Sequence, residues 1–156
     1  MGAAAAVAGQ NLGAGHPDRT VRAVQVAARF GLMIAGTIGI IFLLFSSQLL
    51  AFFGLKDPMV VQIGRHLLRY LSVSGLFITV ALTYTGGLQG TGDTRSPLYI
   101  TLVAQIVVPL GLCFYAQATG QLQASWIWMA IVLGHFTRCT LSVARFHQGR
   151  WRTIEV

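Results

Sequence analysis

The chain has 156 residues, of which 54% are hydrophobic and only 10% are charged, and its mean hydropathy is +0.67. Soluble domains carry about 25% charged residues, so this composition excludes an ordinary water-soluble domain and indicates a membrane protein. The formal net charge of +7 does not indicate nucleic-acid binding, because the Lys and Arg residues lie at the ends of apolar runs and not among aromatic residues on one polar face.

Three long runs of the sequence contain no Asp, Glu, Lys or Arg. They cover residues 30–55, 70–92 and 96–137 and are 26, 23 and 42 residues long. A bilayer core about 30 Å thick needs roughly 20 mostly apolar residues for each spanning helix. The first two runs therefore predict one span each, and the third predicts two spans separated by the polar residues 117–123. We expect an all-α membrane protein with four transmembrane helices.

The N-terminal residues 1–15 are apolar and end in the sequence GAG, but they are too few to span a bilayer. We interpret them as the end of a truncated helix. The sequence HPDR at residues 16–19 predicts a turn and the start of the next helix. In that helix Gly31, Ala35 and Gly39 recur at four-residue spacing, which lets two helix backbones approach closely in lipid. We predict that this stripe faces another helix.

Turns rich in Pro, Gly and Asp separate the four predicted spans. The spans lie at about residues 30–53, 70–87, 98–115 and 126–144, and a basic tail follows at residues 145–156. Asp57 and Pro58 predict the N-cap and first position of a helix. Pro109 lies inside the third span, where we expect it to kink the helix because it removes a backbone donor.

The sequence GTGDTR at residues 90–95 predicts a tight connection between two membrane helices, with Asp93 or Thr94 capping the second helix. It does not predict a phosphate-binding loop, because it lacks the Lys of a P-loop and follows no strand.

The basic residues predict the orientation of the spans. Because alternate loops lie on the same side of a membrane, one side collects seven arginines: Arg19, Arg22, Arg29, Arg95, Arg145, Arg150 and Arg152. The other side collects Lys56, Arg65 and Arg69. Cytoplasmic loops are enriched in Lys and Arg, so we expect the C-terminal tail in the cytoplasm.

The acidic residues argue against an enzyme. The four of them are Asp18, Asp57, Asp93 and Glu155, and all lie in turns or in the tail. No span therefore offers paired carboxylates for acid–base catalysis. No His or Cys residues have the spacing of metal ligands, and we expect neither a metal nor a cofactor.

The polar residues inside the spans are the candidates for a functional site. Hydrogen bonds between packed helices, or to the helix backbone, are one interpretation. The alternative is the wall of a water-filled substrate cavity. From the helix faces that they share, the cavity candidates are Thr79, Thr83, Tyr84 and Gln105. His135 and Arg138 share a face of the fourth span, where Arg138 either extends to the headgroups or contacts a carboxylate elsewhere.

Two segments resemble the multidrug and toxic compound extrusion (MATE) family. They are GQNLGAGHPDR at residues 9–19 and GLQGTGDTRSPLY at residues 87–99. The resemblance implies a transporter of twelve helices in two six-helix lobes that exports cationic or amphipathic compounds in exchange for protons or sodium. It implies that this chain is part of the C-terminal lobe, and that its partners are the lipid bilayer, the N-terminal lobe and a small organic, cationic substrate. The expected location is the bacterial inner membrane.

One departure from the family concerns ion coupling. Some branches of the family carry a coupling carboxylate in the tenth helix, which the resemblance places at residues 70–87 of this chain. That segment contains no acidic residue, so no ion-coupling residue is assigned here. Two alternatives stay open: a related flippase for lipid-linked sugars, and a membrane scaffold that binds a partner through the small-residue stripe.

Overall fold

The computed structural model describes residues 2–154, and helices dominate that range. Within it six α-helices follow in order: α1 (Gly2–Gly13), α2 (Pro17–Leu44), α3 (Ser46–Phe52), α4 (Pro58–Gly90), α5 (Arg95–Ala118) and α6 (Ala124–His147). A short 3₁₀ helix, Arg150–Thr153, follows α6. No residue in this range forms a strand. The ends of the predicted N-terminal helix and basic tail, at residues 1 and 155–156, lie outside the described residues.

Four of these helices, α2, α4, α5 and α6, are long and apolar enough to cross a membrane. Their outer faces carry large apolar side chains, such as Ile34 of α2 and Val107 of α5, which are each 62% exposed. Such surfaces are stable in lipid and not in water, because the transfer of each CH₂ group from water to an apolar environment is favourable by about 0.8 kcal/mol. The prediction of an all-α membrane protein with four spanning helices is confirmed.

The helices differ from the charge-free runs in their bounds. α2 begins at Pro17, which confirms the helix start predicted at residues 16–19, and its arginine-bearing first turns precede the charge-free span. It ends at Leu44, and α3 begins two residues later at Ser46. The sequence alone predicts one continuous span here. Ser46 and Ser47 follow the break, and serine is a weaker helix former than the surrounding leucines.

α4 is the centre of the bundle. It packs against α2 on one side and α6 on the other, and α1 crosses both α2 and α4. In the most apolar 18-residue segment of α4, 44% of the residues are buried, whereas in the corresponding segment of α5 only 6% are buried. α5 packs mainly against α6, so the order across the bundle is α2, α4, α6, α5.

The small-residue stripe of α2 faces α4, as predicted. Gly39 is buried, and its carbonyl oxygen lies 3.2 Å from the Ser72 hydroxyl of α4, which shares its proton with the Leu68 carbonyl of its own helix at 2.8 Å. A Cβ atom at Gly31 would lie 2.6 Å from the Thr79 methyl group, so a larger residue there would force the threonine side chain or the helices to shift. Part of the face that the scaffold alternative would offer to a partner is therefore occupied by α4 within this chain.

The buried core lies at the end of the bundle where α4 meets α1 and the tail. Its buried members are Ala8, Val24, Ala28, Tyr84, Leu88, Phe146 and Trp151. The Trp151 ring is 1% exposed and stacks on Phe146 with centroids 5.0 Å apart, and its Nε1–H donates to the Phe146 carbonyl at 2.8 Å. The start of the basic tail is thus folded back onto the bundle.

Candidate functional site

The residues predicted to line a cavity lie in two separate places. Thr79, Thr83 and Tyr84 lie in the second half of α4, whereas Gln105 lies on α5 and faces α6. Because α6 lies between α4 and α5, the fold does not bring all four into one pocket. Their role as cavity residues stays a prediction.

Thr79 lines an open groove between α2 and α4. The groove has a volume of about 290 Å³, and Gly31, Ala35, Gly39 and Gly75 leave the space for it. The Thr79 hydroxyl donates to the Gly75 carbonyl at 2.7 Å, within its own helix. Its methyl group points toward Gly31, so the groove presents a mostly apolar wall.

Thr83 repeats this local pattern one turn further along α4. Its hydroxyl donates to the Thr79 carbonyl at 2.9 Å. Of the two sequence interpretations, bonding to the helix backbone therefore describes the contacts that both threonines make within this chain.

Tyr84 is a core residue in this structure. It is 8% exposed, and its ring meets the Phe146 ring edge-on with centroids 5.3 Å apart. The His147 ring lies 5.8 Å from it. This packing joins α4 to the end of α6.

Gln105 and His135 form a hydrogen bond between two membrane helices. The Gln105 Nε2 and His135 Nδ1 atoms are 3.0 Å apart. Gln105 lies ten residues after Arg95, about 15 Å along the helix, and His135 lies twelve residues before His147, about 18 Å away. The pair is therefore near the middle of both helices, at the depth where lipid offers no alternative partner.

A π-helical segment, Val103–Val107, surrounds Gln105 and ends just before Pro109. Pro109 has no N–H group, and the preceding Val108 N–H bonds to the Val103 carbonyl, five residues back. The Ala104 carbonyl turns toward Gly134 of α6, where a Cβ atom would lie only 2.5 Å from its oxygen. The irregularity that we expect at Pro109 takes the form of this π segment, which often marks functional sites.

A second polar cluster joins the α4–α5 turn to the end of α6. Asp93 is 6% exposed, and its Oδ2 atom lies 3.2 Å from the Arg145 Nη2 atom. Its Oδ1 atom accepts from the Ser96 N–H at 3.0 Å, which confirms Asp93 as the cap of α5. Arg145 Nε donates to the Ser96 hydroxyl at 2.8 Å. Arg145 was not predictable as the partner of Asp93 from the sequence, because the two residues are 52 positions apart.

Metal-binding geometry is not found within residues 2–154, where no three His, Cys, Asp or Glu residues cluster. Cys113 and Cys139 are both half-buried free thiols.

Gln105→Leu tests the interhelical bond. We expect a coupling free energy between Gln105 and His135 of about 0.5–1.5 kcal/mol, the range for hydrogen bonds between membrane helices. A double-mutant cycle with His135→Leu, followed by unfolding in mixed detergent micelles, measures it. Gln117→Leu is the control, since Gln117 lies exposed on the same helix. Zero coupling would contradict the assignment.

The sequence is similar to one protein family and to several multidrug resistance proteins. The MatE family model matches residues 1–115. The Probable multidrug resistance protein NorM of Thermotoga maritima is 26% identical over 143 residues, which are 92% of this chain and 31% of that protein. Multidrug resistance protein MdtK of Pectobacterium atrosepticum is 27% identical over 144 residues, covering 88% of this chain and 31% of that protein. The chain spans under a third of the length of these relatives.

Proposed function

The chain belongs to the MatE family, and on that premise we propose that it forms part of a secondary antiporter that exports drugs or other cationic or amphipathic compounds in exchange for protons or sodium. The observation that carries the proposal is the family match over residues 1–115, which contains α1 to α4 and most of α5. Two multidrug resistance proteins can be aligned with 92% and 88% of the chain, and their names support the export of drugs.

We propose further that residues 1–156 are a partial C-terminal lobe of such a transporter. The matched segment covers 31% of the length of each of these two relatives, so they are about three times as long as the part that resembles this chain. In this proposal the lobe lies in a bacterial inner membrane with its basic tail in the cytoplasm, and it rocks against a second lobe to give alternating access. Thr79, which lines the open groove between α2 and α4, would then face the cavity between the lobes.

An efflux assay with the genomic reading frame tests the proposal. Cells that lack their main drug pumps are loaded with ethidium, a cationic dye, and are given either the complete frame that contains this chain or the 156-residue chain alone. We expect efflux from the complete frame that stops when the proton and sodium gradients are collapsed, and no efflux from the chain alone. Absence of gradient-dependent efflux from the complete frame would refute antiport of such dyes.

A further inference from the structure

Arg138 is a charged residue placed deep in a membrane helix. It lies nine residues before His147 in α6, about 14 Å from the end of that helix. It is half-buried, and its Nε atom is buried without a hydrogen-bond partner. A charge at this depth is costly unless it is paired or hydrated, so Arg138 needs a partner.

The acidic residues that the structure describes are all engaged elsewhere. Asp18 pairs with Arg152, Asp93 pairs with Arg145, and Asp57 caps α4 through bonds to two backbone N–H groups. Within residues 2–154, Arg138 makes no salt bridge and donates no hydrogen bond. Any counter-charge for Arg138 therefore comes from outside residues 2–154.

The direction of the helix disfavours a simple extension of Arg138 toward the headgroups next to the basic tail. Side chains in an α-helix lean toward the N-terminus of the helix. In α6 that direction leads away from Arg145 and His147 and toward His135, one turn earlier. The first carbons of the Arg138 side chain therefore lean toward the centre of the membrane.

His135 adds a second donor on the same face. Its Nδ1 atom accepts the bond from the Gln105 amide, which leaves the proton of the neutral ring on Nε2. His135 and Arg138 are three residues apart and therefore share a face of α6.

We propose that Gln105, His135 and Arg138 form a binding site within the membrane for the oxyanion group of an amphipathic molecule. Arg138 and the His135 Nε2–H donate to a carboxylate or phosphate, and Gln105 holds the His135 ring in the donating orientation. A guanidinium group binds such planar or branched oxyanions with two donors. Binding at this site does not require transport, so it can be tested independently of the proposed antiport.

Native mass spectrometry of the purified chain in neutral detergent tests this site. The chain is titrated with phosphatidylglycerol against phosphatidylcholine, and with dodecanoate against dodecyltrimethylammonium. We expect the anionic member of at least one pair to bind preferentially, and Arg138→Gln to weaken that binding about tenfold or more. The control is Arg22→Gln, which removes the same charge from an exposed position of α2. Arg138→Lys should retain part of the affinity, since the charge remains.

The two pairs of probes distinguish the source of the oxyanion. Preference for phosphatidylglycerol alone indicates a lipid headgroup, and preference for dodecanoate alone indicates a free amphiphile; both support the site. Circular dichroism verifies that the Arg138 variant keeps its helical content. Equal binding of anionic and non-anionic probes, or an equal loss in the Arg22 and Arg138 variants, would overturn the proposal.

Discussion

Asp93→Ala is expected to lower the free energy of unfolding by about 2–4 kcal/mol. Breaking a buried ion pair costs about 3–5 kcal/mol, and water recovers part of this because the Arg145 side chain is 26% exposed. The variant also removes the cap of α5, since the Ser96 N–H loses its acceptor. Unfolding in mixed micelles, followed by circular dichroism, measures the effect.

Asp18→Ala is the matched control for this variant. Asp18 also pairs with an arginine, Arg152, at 3.2 Å, but it is 90% exposed and its partner is 45% exposed. Exposed pairs contribute little because water and salt screen them. If both variants lose the same stability, the buried cluster at the α4–α5 turn has no special role.

Gly134→Ala is expected to lower the free energy of unfolding by about 1–3 kcal/mol, because the added methyl group forces α5 and α6 apart. The new Cβ atom would lie 2.5 Å from the Ala104 oxygen and 3.0 Å from the Pro109 Cγ atom. Separation at this point also lengthens the bond between Gln105 and His135. The same micelle unfolding experiment measures the change.

Gly111→Ala separates packing from helix propensity. Gly111 lies in α5, and a Cβ atom there would meet nothing within 4 Å. The alanine should leave stability unchanged or raise it by up to about 1 kcal/mol, the propensity difference between the two residues. A Gly134 variant as stable as the Gly111 variant would show that the two helices are not held in close contact.

The local features of the fold were predictable from the sequence. The charge-free runs identified the four spanning helices because lipid excludes charge from each segment independently. Asp57 was recognisable as an N-cap, and its Oδ1 atom accepts from the Met59 and Val60 N–H groups at 2.8 and 3.2 Å. Capping involves residues two or three positions apart, so the sequence contains the whole interaction.

The contacts between distant residues were not predictable in the same way. Gln105 and His135 were each identified as unusual polar residues in a span, but their pairing requires that α5 pack on α6 in one register. Tyr84 lies on the same helix as Thr79 yet packs into the core, because Phe146 and the tail cover it. The break at Phe45 also escaped prediction, since the charge-free run continues through it.

Cysteine labelling at the two ends of α5 tests most directly whether this helix spans the membrane with the basic tail in the cytoplasm. The labelling is done in a chain whose native Cys113 and Cys139 are replaced by Ala. Thr94→Cys and Gln121→Cys place single thiols in exposed positions on either side of this helix. We expect a membrane-impermeant maleimide to label position 121 in intact cells and position 94 only after the cells are opened. Equal labelling of both positions in intact cells would contradict a membrane-spanning α5, and the reverse pattern would contradict the proposed cytoplasmic tail.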